Sequence, residues 1–151
     1  MVPPLPVTPG YLPGSKVYMS PQLPGLADRR RVVVADEDPT VVAFIIETLR
    51  GDGHAVFHAY DVLSATQLAF ALDPCHLVIS NTKVQGVDGV ELIQTLRKEL
   101  PTLPILYLAN IGRSTPEGEA QLPPDVPILR EPFTADELRA AVAELLDGKR
   151  K

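Results

Sequence analysis

From residue 31 onward the chain alternates short β-branched runs with longer amphipathic stretches, and this rhythm leaves few folds open. The runs are "RVVVAD" (31–36), "HAVFHA" (54–59), "HLVIS" (76–80), "PILYLA" (104–109) and "VPILR" (126–130). Short apolar runs bounded by polar signals read as strands buried on both faces, as in a parallel sheet. Between them lie helix signals. Asp38 can cap and Pro39 open a helix through Arg50, with Val41, Val42, Ile45, Ile46 and Leu49 on one face and "GDG" as its stop. "DVLSATQLAFAL" (61–72) predicts a second helix. Asp88 and Glu91 are spaced as a capping box for a third through Leu100, with Val90, Ile93 and Leu96 inward. Thr134 and Glu137 start the last, whose stripe is Leu138, Ala141, Val142, Leu145 and Leu146. Strands separated by helices are βαβ units, so the expected class is α/β with a five-stranded parallel sheet covered on both faces. Residues 110–125, "NIGRSTPEGEAQLPPD", hold three prolines and two glycines, so the fourth helix should be short or irregular.

The 151 residues allow one domain, placed at 30–147, behind a Pro-rich arm (1–29) and before a basic tail (148–151). A net charge of −5 argues against a nucleic-acid surface, which needs a clustered basic excess. The basic groups "DRRR" (28–31) and "GKRK" (148–151) read as solubilising flanks. No run of 18 apolar residues is present, so no membrane span is expected, and no signal-peptide pattern opens the chain. The single cysteine, Cys75, fits a reducing cytoplasm and buried packing. His54, His58 and His76 lack ligand spacing. Seven of the sixteen prolines fall in residues 1–28, a segment whose only charge before Asp28 is Lys16. Such a segment is either a loose tail or an extended apolar arm that lies across another protein, with Tyr11, Tyr18 and Leu23 among its contact candidates.

At the carboxyl ends of strands one and three sit "ADEDP" and "SNTKVQGVDG". In an open α/β sheet this is where ligands gather. With "EPFTADELRAAVAELL" after strand five, the sequence over residues 31–147 resembles the response-regulator receiver domain. The resemblance implies a doubly wound, flavodoxin-like sheet. It also implies that an acidic pair after strand one (Asp36, Glu37) binds Mg²⁺ and that a strand-three residue accepts a phosphoryl group. A strand-four hydroxyl and a strand-five lysine then hold that group.

Here the pattern departs. Asn81 stands at the acceptor position, Ala109 at the hydroxyl position and Glu131 at the lysine position, while Ile128 replaces the usual aromatic. An amide is too poor a nucleophile to form an acyl phosphate. At about 4 Å, exchanging a cation for an anion beside phosphate is worth a few kcal/mol at an effective dielectric near 20. Arg130 does not substitute, because neighbouring strand residues point to opposite faces. The residual pair Asp36 and Glu37 leaves a weak metal possibility, but helix initiation explains the acids as well. No cofactor is therefore expected.

The resulting expectation is a non-phosphorylatable receiver-like protein, not an enzyme, that serves as a phosphorylation-independent adaptor or subunit of a larger assembly. The chain's end after the fifth helix leaves no output domain in this reading. Contact candidates are the arm, Phe44, and the uncharged second helix with Leu63 and Phe70; a homodimer is equally permitted. The competing expectation is a single-domain signalling regulator still coupled to a histidine kinase, modified at Ser80 or Thr82.

Overall fold

The computed structural model describes residues 29–84 and 87–147. The arm, with Tyr11, Tyr18 and Leu23, and the basic tail therefore lie outside the described residues, Arg29 excepted. In chain order the elements are β1 (Arg31–Ala35), α1 (Pro39–Gly51), β2 (Ala55–Ala59), α2 (Val62–Ala71), β3 (Leu77–Asn81), β4 (Lys83–Val84), β5 (Val87–Asp88), α3 (Gly89–Glu99), β6 (Ile105–Ala109), α4 (Pro116–Glu119), β7 (Ile128–Arg130) and α5 (Ala135–Leu146). Strands pair in the order β2-β1-β3-β6-β7, every pair parallel. This is a doubly wound sheet whose order reverses beside β1 and β3, the crevice where such folds place their sites.

The period-2 pattern of the strands divides the core in two. Val32 and Val34 face α1 and α5 with Ile45, Leu49, Leu138 and Val142. Val33 and Ala35 face the opposite layer, with Ala65 and Ala69 of α2 and Leu92, Ile93 and Leu96 of α3. Burying a side chain such as Leu49 or Ile93 contributes roughly 1.5–3 kcal/mol, so these two layers dominate the stability. Only the two alanines of α2 are fully buried. Its bulky residues Leu63 and Phe70 are exposed, as is Phe44 on α1.

Most helix signals hold. Asp38 caps α1 through Thr40 N, Asp61 caps α2 through Ser64 N, and Thr134 and Glu137 form the reciprocal capping box of α5. The expected box at Asp88 and Glu91 does not close: Asp88 accepts from Val90 N, one residue earlier, and no return bond from Glu91 forms. Residues 82–88, expected as loop, contain the antiparallel pair β4–β5, whose second strand runs directly into the N-cap of α3. The last strand is shorter than expected, 128–130 against 126–130. As expected, α4 is a single turn, opened by Pro116 and capped by Thr115. Among the described residues no helix is long and apolar enough to cross a membrane.

Candidate functional site

The carboxyl ends of β1, β3, β6 and β7 bring Asp36, Asn81, Ala109 and Glu131 to one crevice. Backbone bonds set their heights: Asp36 N donates to Ala59 O at 3.3 Å, and Glu131 N donates to Ala109 O at 3.0 Å. Asn81 is the last residue of β3 and is buried, as are Asp36 and Ala109.

The orientation of the Asn81 amide follows from its neighbour. Thr82 N donates to Asn81 Oδ1, so the carbamoyl oxygen is occupied and the Nδ2 hydrogens face the other way. They meet two carboxylates, Asp36 Oδ2 at 2.7 Å and Glu131 Oε2 at 3.5 Å. Asn110 Nδ2 donates to the second Glu131 oxygen at 3.3 Å. Asp36 Oδ1 accepts from Asp38 N at 2.9 Å, which ties the acid to the start of α1. Burial pushes the Asp36 carboxyl above its ordinary range against these hydrogen bonds. Burial also raises Glu131, and the charges of Asp36 and Asp38 raise it further. The centre is thus two acids held together by one amide.

This arrangement does not fit the hydrated Mg²⁺ that the fold family implies. The ion takes several hard oxygens in octahedral geometry. Asp36 offers both oxygens to N–H donors, Glu37 is drawn to Arg113 at 3.5 Å, and Asn81 presents hydrogens where an oxygen ligand is needed. No group of three or more His, Cys, Asp or Glu suited to a metal occurs among the described residues.

Ser80 and Thr82 flank Asn81 but are shut away from solvent. Ser80 is fully buried and its hydroxyl donates to Asn81 O at 3.1 Å. Thr82 Oγ1 donates to Leu108 O and accepts from Asn110 N, both at 2.8 Å, and so stitches β3 to β6. Arg130 points away to Glu119, with bonds of 2.9 and 2.8 Å, as strand alternation requires. Glu119 also accepts from Ser114 Oγ at 2.6 Å, and Ser114 meets the hydroxyl of buried Tyr107 at 3.2 Å. That chain of contacts fastens the single turn of α4 to β6 and β7.

The sequence placed Asp36, Asn81, Ala109 and Glu131 together and offered Thr82 only as an alternative modification site; Asn110, Arg113 and Gly89 were missed. Asn110 directly follows β6, so strand-end logic could have found it. Gly89 had only the Asp-Gly pair as a signal; its N–H donates to Thr82 O at 2.7 Å, and a Cβ there would lie 1.9 Å from Asn81 O. Lys83 forms no ion pair with the acids; Arg113 takes Glu37 instead. Cys75 is half-buried with its thiol pushed up to about 11, as packing and not a nucleophile requires. Beside the crevice, Phe44, Ile111, Pro132 and Phe133 line an open groove of about 480 Å³, with the Phe44 and Phe133 rings 5.9 Å apart.

Comparison with known proteins agrees with this architecture. Residues 32–143 match the response regulator receiver domain model. The response regulator protein FleR of Pseudomonas aeruginosa is 30% identical over 113 residues, which is 75% of this chain and 24% of FleR. The DNA-binding dual master transcriptional regulator RpaA of Synechocystis is 28% identical over 118 residues, covering 77% of this chain and 48% of that protein. The chain thus spans half or less of the length of these relatives. Among solved structures, a putative response regulator from Chloroflexus aurantiacus superposes with a TM-score of 0.69 at 27% identity, over 79% of this chain and 98% of that one. The receiver domain of Francisella response regulator 1452 gives 0.67 at 26% identity, over 80% and 99%. With the family model covering most of the chain, the chain belongs to the response regulator receiver domain family.

Proposed function

We propose that this receiver domain takes no part in phosphoryl transfer and acts as a phosphorylation-independent protein-interaction module. The observation that carries this reading is the Asn81 amide bridging Asp36 and Glu131. An aspartate at position 81 would add a third carboxylate beside buried Asp36 and half-buried Glu131, whereas the amide supplies the two N–H donors that such a pair needs. Asn81 and Glu131 therefore form a matched set, each substitution making sense of the other. The missing hydroxyl at Ala109 agrees with a crevice that holds no phosphate.

Transfer to Ser80 or Thr82 finds little support. Both are buried, with the Ser80 hydroxyl engaged by Asn81 O and the Thr82 hydroxyl bridging β3 to β6. The Tyr107–Ser114–Glu119–Arg130 chain of contacts favours a single fixed arrangement of the α4 side. A fixed domain signals by presence and binding, so exposed apolar residues become its working parts. On the described surface these are Phe44 and Ile111 beside the crevice and Leu63 and Phe70 on α2. Another protein or a second copy is the partner class they fit.

Incubation with acetyl phosphate and Mg²⁺, followed by intact-mass measurement, tests this. No added phosphate is the expected result. A stoichiometric gain of one phosphate would overturn the proposal, and mapping it to Ser80 or Thr82 would favour the kinase-coupled alternative.

A further inference from the structure

The groove beside the crevice joins apolar walls to an acidic end. Val41 and Phe44 of α1, Ile111 after β6, and Pro132 and Phe133 after β7 line most of its 480 Å³. Ile111 is 73% exposed and Phe44 37%, so large apolar side chains stand in water on both sides of it. Glu131 and Asn110 also line it and connect it to the crevice.

Charge at that end is unbalanced. Burial first, and then the charges of Asp36 and Asp38, raise the Glu131 carboxyl above its ordinary range. Among the described residues none of these three acids forms an ion pair, since Arg113 is drawn to Glu37 and Arg130 to Glu119. The amides that meet Glu131 stand off, Asn110 Nδ2 at 3.3 Å and Asn81 Nδ2 at 3.5 Å. A charge-assisted bond to a carboxylate is ordinarily about 2.7–2.9 Å long, so both Glu131 oxygens can still take a stronger donor.

A guanidinium meets both demands of the lining. It offers a carboxylate two parallel N–H donors, and it is hydrated weakly enough to lie against aromatic rings such as Phe44 and Phe133. An ammonium is a more strongly hydrated point charge and loses more on leaving water. We propose that this groove docks an exposed segment of another protein in which an arginine adjoins a bulky apolar side chain. The guanidinium sits on Glu131, and the apolar side chain lies against Phe44, Ile111 and Phe133. The occupant is cationic because three acids without an ion pair lie at one end, and apolar beside its charge because the rest of the lining is. The proposal rests on the interaction-module reading above and is separable from it: lost peptide binding overturns this site alone, whereas a phosphate gain in the intact-mass measurement overturns that reading.

The test titrates the full, ¹⁵N-labelled chain with N-acetylphenylalanyl-arginine amide and with its neutral citrulline counterpart, followed by ¹H–¹⁵N spectra. Backbone amide shifts should cluster at Val41, Phe44, Ile111 and Phe133. The arginine dipeptide should bind about tenfold more tightly than the citrulline one, the worth of one charge-assisted hydrogen-bond pair at a half-buried carboxylate. Glu131→Gln should erase that preference, and Ile111→Ser, at an exposed position, should weaken both dipeptides. Equal affinities for the two dipeptides, a preference retained in the glutamine variant, or no shifts at millimolar dipeptide each overturns the proposal. Shifts of these resonances on Lys16→Gln without any dipeptide also overturn it, by assigning the groove to the chain's own arm. So does a dipeptide affinity that falls as protein concentration rises, by assigning it to a second copy.

Discussion

Replacing Asn81 with aspartate is the sharpest probe of the crevice, because it restores the family's acceptor group in a setting built around an amide. The substitution removes two N–H donors and introduces a carboxylate close to Asp36 and Glu131, whose oxygens lie 2.7 and 3.5 Å from the present nitrogen. With charges about 4 Å apart and an effective dielectric near 20, each repulsion is worth about 4 kcal/mol. Proton uptake limits the damage. Holding an aspartate of ordinary pKa ~3.9 protonated costs about 1.4 kcal/mol per pH unit, hence at most about 5 kcal/mol at pH 7.5 and about 1.5 kcal/mol at pH 5. A protonated carboxyl still donates one hydrogen bond to Asp36, so the expected destabilisation is about 2–5 kcal/mol at pH 7.5, shrinking to about 1 kcal/mol at pH 5. Urea unfolding of both proteins across this range measures it, and the variant's deficit should grow by up to about 1.4 kcal/mol per pH unit. A variant as stable as the original chain at pH 7.5, or a deficit independent of pH, would refute the bridged-acid picture. Ready phosphorylation of the variant by acetyl phosphate would further show that Glu131 and Ala109 leave the site competent.

Other perturbations read separate parts of the structure. Gly89→Ala sets a Cβ 1.9 Å from Asn81 O and 2.9 Å from Ser80 Oγ, so thermal unfolding should reveal a net loss of about 2 kcal/mol despite the better helix propensity of alanine. Glu131→Gln tests a carboxyl whose folded pKa is raised, chiefly by burial and then by Asp36. Ionising it opposes folding, so stability attached to its protonated form is present below the unfolded pKa and lost as pH rises through the folded one. Measured against the original chain, the glutamine variant should therefore gain as pH rises from the ordinary value of 4.5 and level off once the folded pKa is passed. Glu119 is the opposite case, held down to about 2 by the Arg130 and Ser114 hydrogen bonds. Its contribution is present above its ordinary pKa of 4.5 and lost as pH falls towards 2. Glu119→Gln should lower stability slightly at pH 7 in low salt, less in high salt because Arg130 is largely exposed, and not at all once pH falls well below 2.

Strand and helix order was written in the sequence with little ambiguity. Runs such as "RVVVA" cannot face water on either side, and helices capped by Asp38 and Thr134 carry single apolar stripes, so only layers around a parallel sheet bury both. Gathering Asp36, Asn81, Ala109 and Glu131 at one end followed from that order, because parallel strands all finish on the same side. The β4–β5 pair was illegible, since two-residue strands have no periodicity to detect. The amide's direction was equally hidden. It depends on Thr82 N and on where Glu131 arrives from a strand 50 positions away, a relation between backbone heights that no local pattern encodes. By itself, then, the sequence determined the fold and which side chains meet at the crevice, because burial periodicity and strand polarity are local properties. Only the tertiary structure decided that Asn81 faces the two acids as a donor, because hydrogen-bond direction is set by the three-dimensional positions of groups distant in the chain.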